Sequence, residues 1–338
     1  KVGAANIIVD LNDATDGGNA KLASTITKAD GKTIWIAKSV EDAADANDSD
    51  GTKLTITETV DSSDDTVNIV LSNIGRDLHS ATDYFGIDEI DVATYETINI
   101  TANANALGTN KFNEVETLTA TNAKSVTVTG TGSLETILAA TSTVFTEFDA
   151  SGLAGALTLT AGAEKATYKL GASSSTLIMG SSQLNASDTI VGGAGTADTV
   201  TGTVTGLTAA TGALAISDVE RIYLTTSGAN TLNMSGVTGA YTLGVTDNKQ
   251  TITGFDLSNT ISLGLAADEA ATASEIDVTA ADATGSDDTL KVTVDNTNGT
   301  VSSIIDASGI ENLALTVVYD TQGITLDMTT GEFNAISI

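Results

Sequence analysis

Asp188-Thr189-Ile190-Val191-Gly192-Gly193-Ala194-Gly195-Thr196-Ala197-Asp198 is the stretch whose residue types and spacing come nearest to site chemistry. It approximates the glycine-rich nonapeptide G-G-x-G-x-D-x-hydrophobe-x, with one extra residue before Asp198. In that pattern glycines let backbone carbonyls turn inward and the aspartates add hard oxygen ligands, a donor set for calcium. Asp188, Gly192, Gly193, Gly195 and Asp198 are therefore candidate calcium ligands, and a plain glycine-rich turn is the alternative.

Carboxylates also cluster elsewhere. Asp42, Asp45, Asp48, Asp50, Asp61, Asp64 and Asp65 form the densest acidic segment, and Asp48-Ser49-Asp50-Gly51 resembles the start of a calcium loop. An EF-hand is excluded: with Gly51 as sixth position the first would be Ala46 and the twelfth Thr57, neither a ligand of the required type. A calcium site of another kind at Asp48, Asp50, Asp64 and Asp65, or a solvated and mutually repelling loop, both remain. Asp287 and Asp288, with Asp282 nearby, pose the same choice.

Catalytic chemistry is poorly supplied, and no enzyme activity is expected. His79 is the only histidine, cysteine is absent, and arginine occurs only at Arg76 and Arg221. Disulfides, thiolate metal sites and cysteine nucleophiles are thereby excluded. A solenoid enzyme acting on acidic polysaccharides would need a basic, aromatic groove, yet Trp35 is the one tryptophan.

The elements that must position these residues are strands. Alternation of apolar and polar residues dominates, as in Leu54-Thr55-Ile56-Thr57, Val126-Thr127-Val128-Thr129 and Leu290-Lys291-Val292-Thr293-Val294. The chain has no proline and 32 glycines, so strands closed by Gly and Asx turns fit its composition. Two short helices are expected at residues 39–47 and 207–216.

Three motifs recur. Hydrophobe-Glu-x-hydrophobe appears at Tyr95-Glu96-Thr97-Ile98, Val115-Glu116-Thr117-Leu118, Leu134-Glu135-Thr136-Ile137, Val219-Glu220-Arg221-Ile222 and Ile310-Glu311-Asn312-Leu313. A hydrophobe followed by Asp or Asn and a small turn appears at Phe148-Asp149, Leu232-Asn233, Phe255-Asp256, Ile305-Asp306 and Leu326-Asp327. Asp-Thr-hydrophobe, at Asp65, Asp198 and Asp288, precedes Glu96, Glu220 and Glu311. Such recurrence predicts coils of a parallel β-helix, an all-β solenoid in which each coil buries its inward residues against the next. Repeats are clearest over 91–338; residues 1–90 repeat less clearly and are expected to form an acidic N-terminal β module.

Asp plus Glu number 44 against 14 Lys plus Arg, a net charge of -30. Nucleic acid and anionic membrane surfaces are thus unfavoured partners and cations favoured ones. No stretch approaches the roughly 20 apolar residues of a membrane helix. The start at Lys1, without a signal-peptide pattern, suggests a processed product or fragment.

Tyr95 to Ile100, Val115 to Gly130, Phe148-Asp149-Ala150-Ser151-Gly152 and Asp188 to Thr199 together resemble bacterial S-layer proteins of the Caulobacter type, related to the repeats-in-toxin exoproteins. The resemblance covers roughly residues 90–338. It implies a secreted, calcium-binding β-solenoid that leaves by type I secretion and assembles into a homo-oligomeric lattice at the cell surface. Cell-surface polysaccharide is a further partner to consider. The stalk of a secreted calcium-dependent adhesin, or a subunit of an extracellular filament or sheath, shares these features.

Overall fold

In a computed structural model, the alternating segments are strands and no helix occurs among the described residues. These residues are 6–10, 23–27, 32–37, 53–58, 60–72, 74, 87–104, 112–139, 144–162, 165–204, 212–226, 230–246, 249–263, 275–282, 287–295, 301–307, 309–319, 324–327 and 333–337. The chain divides into two units, Lys1–Ile178 with Gly193–Gly195, and Met179–Gly192 with Thr196–Ile338.

The first unit is built from β1 (Asn6–Asp10), β2 (Ala23–Thr27), β3 (Thr33–Ala37), β4 (Lys53–Thr57), β5 (Thr66–Ser72), β6 (Ile87–Asp91), β7 (Thr97–Asn103), β8 (Phe112–Thr119), β9 (Ser125–Gly130), β10 (Ser133–Ala139), β11 (Glu147–Leu153), β12 (Leu157–Thr160), β13 (Thr167–Lys169) and the start of β14 (Thr176–Leu184). Odd-numbered strands form one sheet and even-numbered strands another, so successive strands alternate between sheets. Every pairing is parallel, the connectivity of a β-solenoid. Inward positions stack in register: Ile34 on Ile69, Ile69 on Ile100, Ile100 on Val128. All four are buried. A single coil has no second layer to cover these side chains, so stability comes from the stack.

The β5–β7 ladder pairs Thr66 with Thr97 through Ser72 with Asn103, and β6 pairs with β8. Strands before and after residue 90 therefore pair in both sheets.

Backbones approach closely at the turns. A Cβ on Gly155 would stand 2.1 Å from the Gly132 carbonyl oxygen, and one on Gly130, at φ +119°, would stand equally close to the Ala102 oxygen. Only glycine fits such a corner.

Strands of the second unit are β15 (Thr189–Val191), β16 (Thr199–Val204), β17 (Ala215–Ser217), β18 (Arg221–Thr226), β19 (Asn230–Asn233), β20 (Val237–Thr238), β21 (Thr242–Thr246), β22 (Lys249–Phe255), β23 (Thr260–Leu263), β24 (Glu275–Ala280), β25 (Thr289–Asp295), β26 (Val301–Asp306), β27 (Asn312–Tyr319), β28 (Ile324–Asp327) and β29 (Ala335–Ser337). They pair in parallel in three runs: β15-β17-β20, β16-β18-β21-β23-β25-β27-β29 and β19-β22-β24-β26-β28. The helix expected over 207–216 is corrected where it is described: Leu214 and Ile216 alternate inward, and β17 lies in a parallel ladder beside β15. Residues 39–47 fall outside the described set.

Candidate metal centre

β4 ends at Thr57 and the chain turns through residues 60–65 into β5. Asp65 fixes this turn from its far end. Its Oδ1 accepts the Ser62 hydroxyl at 2.7 Å and its Oδ2 accepts the Ser62 N–H at 2.5 Å. These two bonds hold the Asp65 carboxyl below the usual carboxylate range. The backbone of Asp65 is gripped from the next coil: its N–H donates to Glu96 Oε2 at 2.8 Å, and its carbonyl accepts the N–H groups of Glu96 and Thr97.

Glu58 and Asp61 complete a group. One carboxylate oxygen from each of Glu58, Asp61 and Asp65 lies within 4.8 Å of the others, close enough for one metal ion. Calcium–oxygen distances of about 2.3–2.6 Å let two ligands on opposite sides of the ion stand roughly that far apart, so the hard, all-oxygen donor set fits such a cation. Its own electrostatics point the same way. Burial first, then the hydrogen bond and charge of Asp65 and the charge of Asp61, push the Glu58 carboxyl up to about 7. A cation bound there would offset the mutual repulsion of these three carboxylates.

Of the acidic residues marked by the sequence, Asp61 and Asp65 are brought together. Asp64 points away, its side chain 87% exposed and paired with Lys124 Nζ at 3.1 Å. Asp48 and Asp50 lie outside the described residues. Among the described residues no other group of three carboxylates gathers as this one does, and Asp188, Asp198, Asp287 and Asp288 belong to none.

The glycine-rich stretch is organised as close-packed turns. Asp188 is buried and its Oδ2 accepts the Asn185 N–H at 2.8 Å, closing the turn before β15. A Cβ on Gly192 would fall on the Asp218 carbonyl oxygen, and one on Gly193 on that of Gly171. Asp218 itself takes φ +55°, a left-handed conformation that aspartate tolerates better than most side chains. Asp198 is fully buried, its N–H donating to Glu220 Oε2 at 2.7 Å while its carbonyl accepts the Arg221 N–H at 3.0 Å. Asp288 makes the same pair of bonds with Glu311 and Asn312.

Glu58 had no signature in the sequence. It directly follows β4, and meets its partners only because the turn that follows folds back. The family models, curated proteins and solved structures compared with this chain include no match.

Proposed function

We propose that this chain is a structural, non-enzymatic protein of the bacterial cell surface whose copies assemble into a calcium-stabilised layer. The observation that carries this reading is the Glu58–Asp61–Asp65 group, carboxylates gathered at a turn of a stacked scaffold in a chain of net charge -30. Such a scaffold gains stability from any cation that binds its folded form alone. Calcium would supply positive charge there, held by Glu58, Asp61 and Asp65, with Glu96 keeping Asp65 in place through the backbone. The all-oxygen donors favour calcium over softer metals. A parallel solenoid has non-identical ends and faces, so contacts between copies close into a sheet or propagate as a filament according to their rotation. The sequence resemblance to S-layer proteins favours the sheet.

Electron microscopy of the purified chain with calcium, with magnesium and with chelator tests this reading. Ordered arrays in calcium that dissolve in chelator, with a lower melting temperature, are expected. Arrays and melting temperature both indifferent to chelator would sink the calcium claim, and a chain that never assembles would sink the layer.

A further inference from the structure

The described outward positions of four neighbouring strands of the first unit carry no charge, in a chain otherwise crowded with it. On β3, β5, β7 and β9, the inward positions are apolar and buried, and the outward ones with described side chains are Thr, Asn and Ser, interrupted only by Trp35 and Val70. Not one is Asp, Glu, Lys or Arg. Charge resumes on the same sheet at β11 and β13, with Glu147, Asp149 and Lys169, and the even-numbered sheet displays Lys53, Glu89 and Asp91.

Trp35 is the only tryptophan and is 39% exposed. It pairs in register with Val70, which points outward yet is only 7% exposed, as expected beside a large neighbouring ring. The same row continues through Thr101 to Thr129. One row over, Asn99 Nδ2 donates to Asn68 Oδ1 at 3.0 Å, a side-chain link between coils that leaves further amide groups for an outside partner.

We propose that this neutral face is where one copy of the chain meets the same face of a second copy. The inference rests on the self-assembly reading and gives it a surface. Two chains of charge -30 repel wherever carboxylates face each other, and this face lets them approach without that cost. An exposed tryptophan packed beside Val70, on strands whose other described outward residues are short hydroxyl and amide side chains, is the composition of an interface centre. Four strands at about 4.8 Å spacing and seven residues of about 3.3 Å give roughly 400 Å². That is about half of what a stable pair buries on each side, so the contact is weak alone and gains strength when repeated across an array.

Because Trp35 is the single tryptophan, its fluorescence reports on this face alone. The full chain in calcium is followed by sedimentation velocity at rising concentration, with acrylamide quenching read in parallel. Association should bring a blue shift of Trp35 emission and a loss of quencher access. Thr129→Glu should abolish association at unchanged melting temperature. Assemblies in which Trp35 stays as open to acrylamide as in the monomer, or a Thr129→Glu chain that assembles like the parent, would overturn the contact while sparing the layer reading. A parent chain that stays monomeric throughout overturns both. If it does so while dextran shields Trp35, the face is a platform for a neutral glycan instead.

Discussion

The carboxylate of Glu220 accepts the backbone N–H of Asp198 at 2.7 Å, and the carbonyl of Glu220 accepts the N–H of Thr242 at 2.8 Å, so one residue ties three successive coils. Glu96 does the same between Asp65 and Lys124, and Glu311 between Asp288 and Asn334. The device answers a need of parallel coils: each strand enters from a turn whose first N–H has no ladder partner, and a side-chain acceptor from the next coil satisfies it.

Glu220→Ala therefore leaves the N–H of a fully buried residue without its acceptor and should cost about 1–3 kcal/mol in urea unfolding, with Glu220→Gln costing less because an acceptor remains. The same change at Glu116 or Glu135, both exposed, should stay within about 0.5 kcal/mol. Equal losses at all three would contradict the clamp.

That contrast marks how far the sequence could be read. Alternation and recurrence disclose an all-β stack, because burial of one face per strand imposes a period that composition cannot hide. The five hydrophobe-Glu motifs look alike locally, yet three are clamps and two are strand residues; what separates them is an Asp-Thr 22 to 31 residues earlier. The glycines of residues 192–195 suggest a metal loop, and two of them serve close backbone approach. The Glu58–Asp61–Asp65 carboxylate group itself stays hidden because Glu58 meets Asp61 and Asp65 through the path of a turn, which no periodicity encodes.

Asn113 offers a second internal test. It is completely buried, with Oδ1 accepting the Ile74 N–H at 3.3 Å and Nδ2 donating to the carbonyls of Asn103 and Ser133, each at 3.1 Å. Asn113→Ala strands two buried backbone groups and a half-buried one and leaves a void, so a loss of about 3 kcal/mol is expected in equilibrium unfolding. A loss under about 1 kcal/mol would show that water replaces the side chain.

Steric closeness at the corners predicts an ordering. A Cβ at Gly155 meets backbone at 2.1 Å, whereas at Gly171 the nearest atom is 3.0 Å away. Gly155→Ala should cost about 1–3 kcal/mol or more and Gly171→Ala clearly less, read from thermal melts. The reverse order would mean the coils slide apart easily at Gly155.

Lys169 Nζ bridges Glu147 at 2.6 Å and Asp149 at 3.0 Å. Partial burial opposes ionisation of Asp149, but the Ser151 hydroxyl and N–H together with Lys169 outweigh it, so its carboxyl lies below the usual range. Its stabilising contribution is complete above the unfolded value near 3.8 and is lost as pH falls through the lower folded value. Lys169 is raised by Glu147 and then Asp149, so its contribution is complete below 10.5 and disappears as pH rises through the higher folded value. The stability difference between the parent and Lys169→Met should thus be small, reduced by salt, and shrink toward both pH extremes. A difference that grows toward either extreme would refute the bridge.

The metal group yields the test with the clearest thermodynamic form. If calcium binds only the folded chain, stability rises by about 1.4 kcal/mol for each tenfold increase in free calcium once the site is saturated. Replacing Glu58 and Asp61 together by Gln and Asn removes two of the three donors and should flatten that dependence. In chelator the same pair of substitutions should leave stability equal or higher, because the partly buried Glu58 carboxyl, pushed up to about 7 by burial and by Asp65 and Asp61, is replaced by a neutral amide and the Asp61 charge is removed. Calorimetric melts of both chains over a calcium series supply the measurement. A variant that keeps the parent's calcium slope would place the stabilising ion elsewhere, whereas a parent without any slope would remove calcium from the account altogether.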